Sequence, residues 1–376
     1  MASIFAAGLL AALASFVLGR LLIRQAPRLG LQDLPNARSS HRVPTARGGG
    51  TGIVAAFLLA LPLGLPGNLP GSWNVLLPLA AGVMLALVGL ADDLRSLGLA
   101  VRLTAQALAV SVVLASLGWG AASSAESDIG LLSIVMNLPA VSEWLSVHAP
   151  PGIVMTLDLL LLPVLLLGGL WWINLFNFMD GIDGLASTQA LFMILAALIL
   201  RLQEPDGDGS LAVLTAPVSV VGLVLAGAVT GFLLLNWPPA RLFMGDSGSL
   251  FLGFSLFSLA AHDVTYGNIN LWSWLVLGSL FIVDATVTLL RRWISGQHLT
   301  DAHRSHLYQH LSRRWGSHGK VALVYCLINV AWVFPLALLA QRASEWGPVL
   351  VLAACLPTAV FAWRAGAGLT ETKAGR

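Results

Sequence analysis

Runs of apolar residues, each closed by a short polar stretch, repeat from one end of the chain to the other. A helix needs roughly 20 mostly apolar residues to cross the hydrocarbon of a bilayer. Eleven windows meet that need, near residues 3–23, 50–68, 73–91, 101–119, 154–173, 184–201, 211–235, 248–262, 271–290, 321–341 and 347–364. They predict an all-α, polytopic integral membrane protein with about eleven transmembrane helices, forming one domain over residues 1–376. Two further apolar pieces, 129–140 and 141–149, are too short and interrupted to cross. The opening segment MASIFAAGLLAALASFVLGRLLIRQ carries Arg20 and Arg24 at the end of its apolar run, with Arg28 just beyond, rather than before it. That is the pattern of an uncleaved first span with a periplasmic N-terminus, and eleven spans then put the C-terminus in the cytoplasm.

Charge tests this topology. Eighteen of the twenty basic residues fall in the segments assigned to the inside, and only Arg201 and Arg342 fall outside. The outside segments carry acids instead: Glu126, Asp128, Glu143, Glu204, Asp206, Asp208 and Glu345. Such asymmetry follows the positive-inside rule and supports this orientation. Tryptophans near span ends, among them Trp172, Trp237, Trp274, Trp293 and Trp346, read as interfacial anchors. Only 10% of residues are charged and 57% are hydrophobic, against about 25% charged in soluble domains. A net charge of +2 is too small to suggest a nucleic-acid binder. Cys326 and Cys355 lie inside apolar runs and imply neither a disulfide nor a metal site.

With the topology set, five polar motifs collect on the cytoplasmic face. They are LPNARSSHRVPTARGGG after the first span, GLADDLRSLG with Asp92 and Asp93, NLFNFMDGIDGLA, NWPPARLFMGDSGS with Asp246, and HLTDAHRSHLYQHL. Acids in or beside spans are costly and mark a pathway or a site. Asn174, Asn177, Asp180 and Asp183 recur every third residue, with Gly181 between the last two and Gly184 just after them. The spacing predicts a helix end followed by a turn, its oxygens wrapped about one point. Such oxygens suit Mg2+, with Mn2+ as a substitute, because Mg2+ is held by one or two carboxylates plus substrate phosphates. The neighbouring arginines call for an anionic substrate, and helix starts after Gly184 and Gly245 would add amides for phosphate. Singly, these acids read as caps or turn residues, and Asp33, Asp284 and Asp301 read as no more than that.

Together the motifs resemble the polyprenyl-phosphate N-acetylhexosamine-1-phosphate transferases of glycosyltransferase family 4, above all NFMDGIDGLA with FMGDSGS. The resemblance spans roughly residues 20 to 315, with the motifs inside 33–310. It implies transfer of a sugar 1-phosphate from a UDP-sugar to undecaprenyl phosphate with release of UMP, assisted by Mg2+. It implies Asn177 and Asp246 as metal ligands, and Asp92, Asp93, Asp180, Asp183 and His306 in catalysis. Asn236 and Phe243 match the uracil pocket, and Thr45, Arg47, His303 and Arg304 are expected to bind substrate. Direct attack by the lipid phosphate, with Asp92 or Asp93 as base, is favoured over a covalent aspartyl intermediate. Partners are the UDP-sugar, undecaprenyl phosphate and membrane lipids, and a homodimer is compatible with the sequence.

Where the lipid I enzyme of this family carries three successive histidines, the chain reads AHRSHLYQHL, with Tyr308 and Gln309 after His306. This form resembles the O-antigen initiating branch and points to UDP-GlcNAc or a UDP-N-acetyl-6-deoxyhexosamine as donor. Tyr308 would offer the 6-deoxy methyl an apolar surface. The alternatives are phospho-N-acetylmuramoyl-pentapeptide transfer and an ion-coupled transporter, the latter demanding acids near the bilayer midplane. A CDP-alcohol phosphotransferase lacks support, since its longer pattern is absent after Asp183.

Overall fold

The computed structural model describes residues 1–34, 43–65, 73–123, 151–203, 210–298, 301 and 303–369. Helices account for most of it, as they must where lipid offers no partner for backbone N–H and C=O groups. In chain order they begin with α1 (Ala2–Leu29), α2 (Gly49–Gly64), α3 (Trp73–Arg95), α4 (Leu99–Ser123) and α5 (Pro151–Met179). There follow α6 (Leu185–Arg201), a short α7 (Ser210–Thr215), α8 (Pro217–Asn236), α9 (Asp246–Thr265), α10 (Leu271–Leu277) and α11 (Ser279–Ile294). The last are α12 (Leu307–Trp315), α13 (His318–Arg342, with a π turn at Asn329–Val333) and α14, whose span begins as a single 3-10 turn (Ser344–Arg364). Two short strands, β1 (Gln32–Asp33) and β2 (Thr45–Ala46), pair antiparallel between α1 and α2.

Each of the eleven apolar windows is helical over most of its described residues. Seven of the described helices are long and apolar enough to cross a membrane alone, and α10 with α11, bent by 69° at Gly278, makes an eighth. The helices α2 and α6 are apolar but shorter. The 20-residue α9 lies outside that set, its apolar face broken by Asp246, Asp263 and four serines. The chain is thus an all-α, multi-pass membrane protein. The pieces at 129–149 lie outside the described residues, as do the acids at 126, 128, 143, 204, 206 and 208.

Small residues set the closest helix contacts. On α1, the buried Ala7, Ala11, Ser15 and Gly19 recur every fourth position and so share one face. They meet α8, where a Cβ on Gly227 would lie 2.1 Å from the Gly8 carbonyl oxygen and one on Gly231 2.0 Å from that of Ala12. Backbones packed this closely gain dispersion contacts that lipid cannot supply. With 67% of its spanning window buried, against 17% for α14, α8 lies at the centre of the bundle. Of the tryptophans read as anchors, Trp237, Trp293 and Trp346 are exposed, whereas Trp172 and Trp274 are buried in the core.

At the end of α6 and α9 away from the polar motifs, Arg201 forms a two-point ion pair with Asp263, at 2.9 Å and 2.7 Å. Both side chains are buried. One of the two basic residues that depart from the expected charge asymmetry is therefore neutralised within the protein.

Candidate active site

A cavity of about 760 Å³ opens at one end of the bundle, where the five polar motifs meet. The C-terminus of α3 supplies Asp92 and Asp93, the last turn of α5 supplies Asn177, the turn after it supplies Asp180 and Asp183, and the start of α9 supplies Asp246. Arg47, Asn236, Phe243, His303 and Arg304 complete the expected residues on its walls.

Local geometry explains each position. The first amides of α9 have no partner within their own helix, and Asp93 provides one from α3. Its Oδ1 accepts the Asp246 N–H at 3.1 Å and its Oδ2 accepts the Ser247 N–H at 3.3 Å. Gly245 makes this approach feasible: its φ is 74°, and a Cβ there would lie 2.6 Å from Asp93 Oδ2. Arg47 stands 3.8 Å from the same carboxylate. Asp92 accepts the Leu97 N–H and a 3.0 Å hydrogen bond from Arg102 on α4, and its carboxyl also lies against that of Asp246. Asn177 Nδ2 donates to Asp246 Oδ1 at 2.7 Å and to Ser249 Oγ at 3.0 Å, which joins α5 to α9.

Asp183 is held more firmly than a free ligand would be. Its Oδ2 accepts the Ala240 N–H at 3.0 Å, and its Oδ1 lies 3.2 Å from Nδ1 of His318. The Asn236 amide is also occupied: Oδ1 accepts the Gly184 N–H at 2.9 Å, and Nδ2 donates to the Leu242 carbonyl at 3.0 Å. Asn236 thereby ties the turn after α5 to the loop before α9. That loop is stitched to the first polar segment by three backbone bonds: Phe243 N–H to Ala46, Gly49 N–H to Phe243, and Gly50 N–H to Met244. These bonds bring Arg47 and Phe243 to the same cavity.

Three side chains expected at the site lie off the cavity wall. Thr45, expected to bind substrate, is buried with its hydroxyl donating to Val43, and it does not line the cavity. His306, expected in catalysis, is buried with its ring between those of Phe178 and Tyr308 and its Nδ1 3.3 Å from Asp284. Tyr308, expected to face the donor sugar, is buried too, its hydroxyl donating to the Phe178 carbonyl at 2.8 Å. In its place Gln309 reaches the cavity. The reason is Asp284, which is fully buried and accepts the N–H groups of Leu307 and Tyr308 at 2.8 and 3.0 Å and the Tyr325 hydroxyl at 3.0 Å. Asp284 pulls the start of α12 into the core and, among the described residues of this motif, leaves His303, Arg304 and Gln309 on the cavity wall.

The sequence motifs did not single out Asp33, Arg102, Gln309 or His318 as site residues. The first three line the cavity, and His318 supports Asp183. Arg102 carried a usable signal, as a base at the inner end of the span after Asp92 and Asp93. His318 carried none, since its contact depends on tertiary packing alone.

The site is electrically unbalanced toward negative charge. Burial, then the carboxylates of Asp246, Asp93 and Asp183, pushes the Asp180 carboxyl well above the usual range. Burial, His306 and Arg292 lower the His303 imidazole to about 3, despite the opposing pull of Asp284, so it is neutral at pH 7. Among the described residues no group of three or more His, Cys, Asp or Glu forms a ready cation cage. Crowded hard oxygen donors nevertheless fit a Mg2+-like ion completed by substrate phosphates and water. A second cavity of about 520 Å³ shares Arg102, Asn177 and Asp246 with the first. It runs among α4, α5, α9 and α11 past Leu103, Leu167, Leu170, Leu250 and Leu289, so its lining turns apolar away from the carboxylates.

The family model described as Glycosyl transferase family 4 matches residues 75–262, half of the chain. The decaprenyl-phosphate N-acetylglucosaminephosphotransferase of Mycobacterium tuberculosis (strain H37Rv) is 30% identical over 345 residues, covering 86% of this chain and 78% of the relative. A probable undecaprenyl-phosphate N-acetylglucosaminyl 1-phosphate transferase of Bacillus subtilis is 24% identical, covering 94% and 89%. The phospho-N-acetylmuramoyl-pentapeptide-transferase of Synechococcus sp. (strain CC9605) is 35% identical, but over 42% of this chain and 43% of its own. The motifs that meet at the cavity and the similarity along most of the chain agree: this protein belongs to glycosyl transferase family 4, among the polyprenyl-phosphate hexosamine-1-phosphate transferases.

Proposed function

We propose that the protein transfers N-acetylglucosamine 1-phosphate from UDP-GlcNAc to undecaprenyl phosphate, releasing UMP and starting a lipid-linked envelope glycan such as O-antigen. The observation that carries this reading is the junction of two cavities: a carboxylate-rich one joins an apolar one at Arg102, Asn177 and Asp246. A lipid phosphate needs that arrangement, with its head among polar groups and its tail in an apolar channel. The GlcNAc donor is supported by the two relatives that align with most of the chain. A 6-deoxy donor loses the support of Tyr308, whose ring is buried. A muramyl-pentapeptide donor remains the second reading, because relatives of that name match 40% or so of the chain. Ion-coupled transport is disfavoured, since the carboxylates line one cavity at a single end of the bundle.

In this reading an oxygen of the lipid phosphate attacks the β-phosphorus of the donor. One P–O bond forms to the lipid phosphate, the P–O bond to UMP breaks, and the products are a polyprenyl diphosphate sugar and UMP. Asn177, Asp180 and Asp246 would hold Mg2+, which supplies charge neutralisation for the phosphates when bound. Phe243 stacks on uracil, and Asn236 orients the Phe243 loop. Arg47, Arg304 and neutral His303 donate hydrogen bonds to the diphosphate. Arg102 meets the acceptor phosphate where the cavities join, and Asp92, paired with Arg102, takes the acceptor's proton. Asp93 holds the start of α9 and acts through Asp246.

The distribution of basic residues supports a cytoplasmic cavity in the bacterial inner membrane, eleven crossings, a periplasmic N-terminus and a cytoplasmic C-terminus. The test is incubation of purified protein with undecaprenyl phosphate and each of UDP-GlcNAc, a UDP-N-acetyl-6-deoxyhexosamine and UDP-MurNAc-pentapeptide. UMP release should be greatest with UDP-GlcNAc and should stop when EDTA removes divalent cations. Preferred turnover of the pentapeptide donor would replace this reading with the second one.

A further inference from the structure

The last spanning helix is followed by a structured turn that reaches back to the cavity. Past Arg364, residues 365–369 fold back through Gly366 and Gly368, whose φ angles are 91° and 82°. Ala367 between them is fully buried. The backbone of Gly368 grips both flanks of the loop joining α11 to α12. Its N–H donates to the Ser305 carbonyl at 2.7 Å, and its carbonyl accepts from Gln297 Nε2 at 3.2 Å.

Two successive arginines of α11 hold this grip in place. Arg292 donates to Gln297 Oε1 and to the His298 carbonyl, both at 2.8 Å. Arg291 donates to the carbonyls of Trp363 and Ala367, and its guanidinium carbon stands 4.4 Å from the centre of the Trp363 ring. Position 368 has no room for a side chain, since a Cβ would lie 2.7 Å from the Thr288 carbonyl oxygen and 2.8 Å from Arg291 Cβ. The residues that reach the cavity stand just before the gripped carbonyl: Ser305 Oγ lies 3.1 Å from His303 Nδ1, and Arg304 is next to it in the chain.

We propose that residues 365–369 are positioning residues for the donor side of the cavity, a C-terminal clip that holds His303 and Arg304 facing it. The clip touches no substrate. Its effect on the reaction rests on the reading above, in which His303 and Arg304 contact the donor diphosphate. A loop released at both flanks spends part of its time in other conformations, and apparent affinity falls by the fraction that remains competent. Donor binding should weaken while acceptor binding, centred on Arg102 and the apolar cavity, does not.

The experiment compares the full-length protein with Gly368→Ala, Gln297→Ala, a chain ending after Arg364 and a chain ending after Leu369. Hydrogen–deuterium exchange of residues 297–305 is followed without substrate, and KM is measured separately for UDP-GlcNAc and undecaprenyl phosphate. The proposal expects exchange at 297–305 to quicken by about tenfold or more in the first three variants. The KM for UDP-GlcNAc should rise on the order of tenfold, with kcat and the acceptor KM within about twofold. The chain ending after Leu369 should match the full-length protein. If the shorter truncation fails to fold, the two point variants carry the test. Unchanged exchange in both point variants would overturn the clip. Quickened exchange with an unchanged donor KM would leave the clip standing and remove His303 and Arg304 from the donor site.

Discussion

Asp93 and Asp246, 153 residues apart, are joined through the backbone: the Asp93 carboxylate accepts the N–H of Asp246 at 3.1 Å and that of Ser247 at 3.3 Å. One motif's carboxylate therefore fixes the position of another's. An anion at a helix start also favours the helix dipole, so the contact stabilises the fold and aims Asp246 at once.

Asp93→Ala removes this external cap. Loss of a capping acceptor costs about 1 kcal/mol, so the melting temperature in detergent should fall by a few degrees. UMP release should drop more than stability does, by roughly 10–100-fold, as when a residue that orients a metal ligand is lost. A variant that kept normal turnover would show that Asp246 needs no such support.

Arg102 sits where the polar and apolar cavities meet and holds Asp92 at 3.0 Å. Arg102→Ala should raise the KM for undecaprenyl phosphate by about tenfold or more, the scale of one hydrogen bond to a charged group. The KM for the UDP-sugar should stay within about twofold. Steady-state kinetics with each substrate varied in turn checks this, and a selective rise in donor KM would place the acceptor elsewhere.

Tyr308 is buried and donates its hydroxyl to the Phe178 carbonyl. Tyr308→Phe leaves that carbonyl short of a partner, at a cost of about 1 kcal/mol. The ratio of kcat/KM values for UDP-GlcNAc and its 6-deoxy analogue should not change. A shifted ratio, measured on the two donors side by side, would return Tyr308 to the sugar pocket.

The contrast between Tyr308 and Asp92 explains what the sequence could reveal. Asp92, Asp93, Asn177, Asp180 and Asp246 were legible because charge and carboxamides at span ends are costly unless they serve a site. Their spacing and the positive-inside rule then placed them on one face. The fate of His306 and Tyr308 was not legible, because it hangs on Asp284, a buried acid that organises a neighbouring segment and looks like an ordinary helix residue in sequence. Arg201 shows the same limit: its pairing with Asp263 exists only once α6 and α9 are packed. The pairing of the small residues of α1 with the Gly227 and Gly231 face of α8 is likewise a tertiary fact.

Topology can be checked by labelling with an impermeant thiol reagent in intact cells. Ser96 lines the cavity beside Asp92, so Ser96→Cys should be shielded, whereas Asp208→Cys should react. Labelling of Ser96→Cys from outside would put the cavity on the opposite face of the membrane.

The central claim is that a sugar 1-phosphate moves, and not the sugar alone. Purified protein should be given undecaprenyl phosphate and UDP-GlcNAc carrying 32P in the β-phosphate, after which lipid and water phases are separated. The account predicts label in the lipid phase and unlabelled UMP in the water phase. Label retained in water as UDP, with the sugar in the lipid phase, would contradict it.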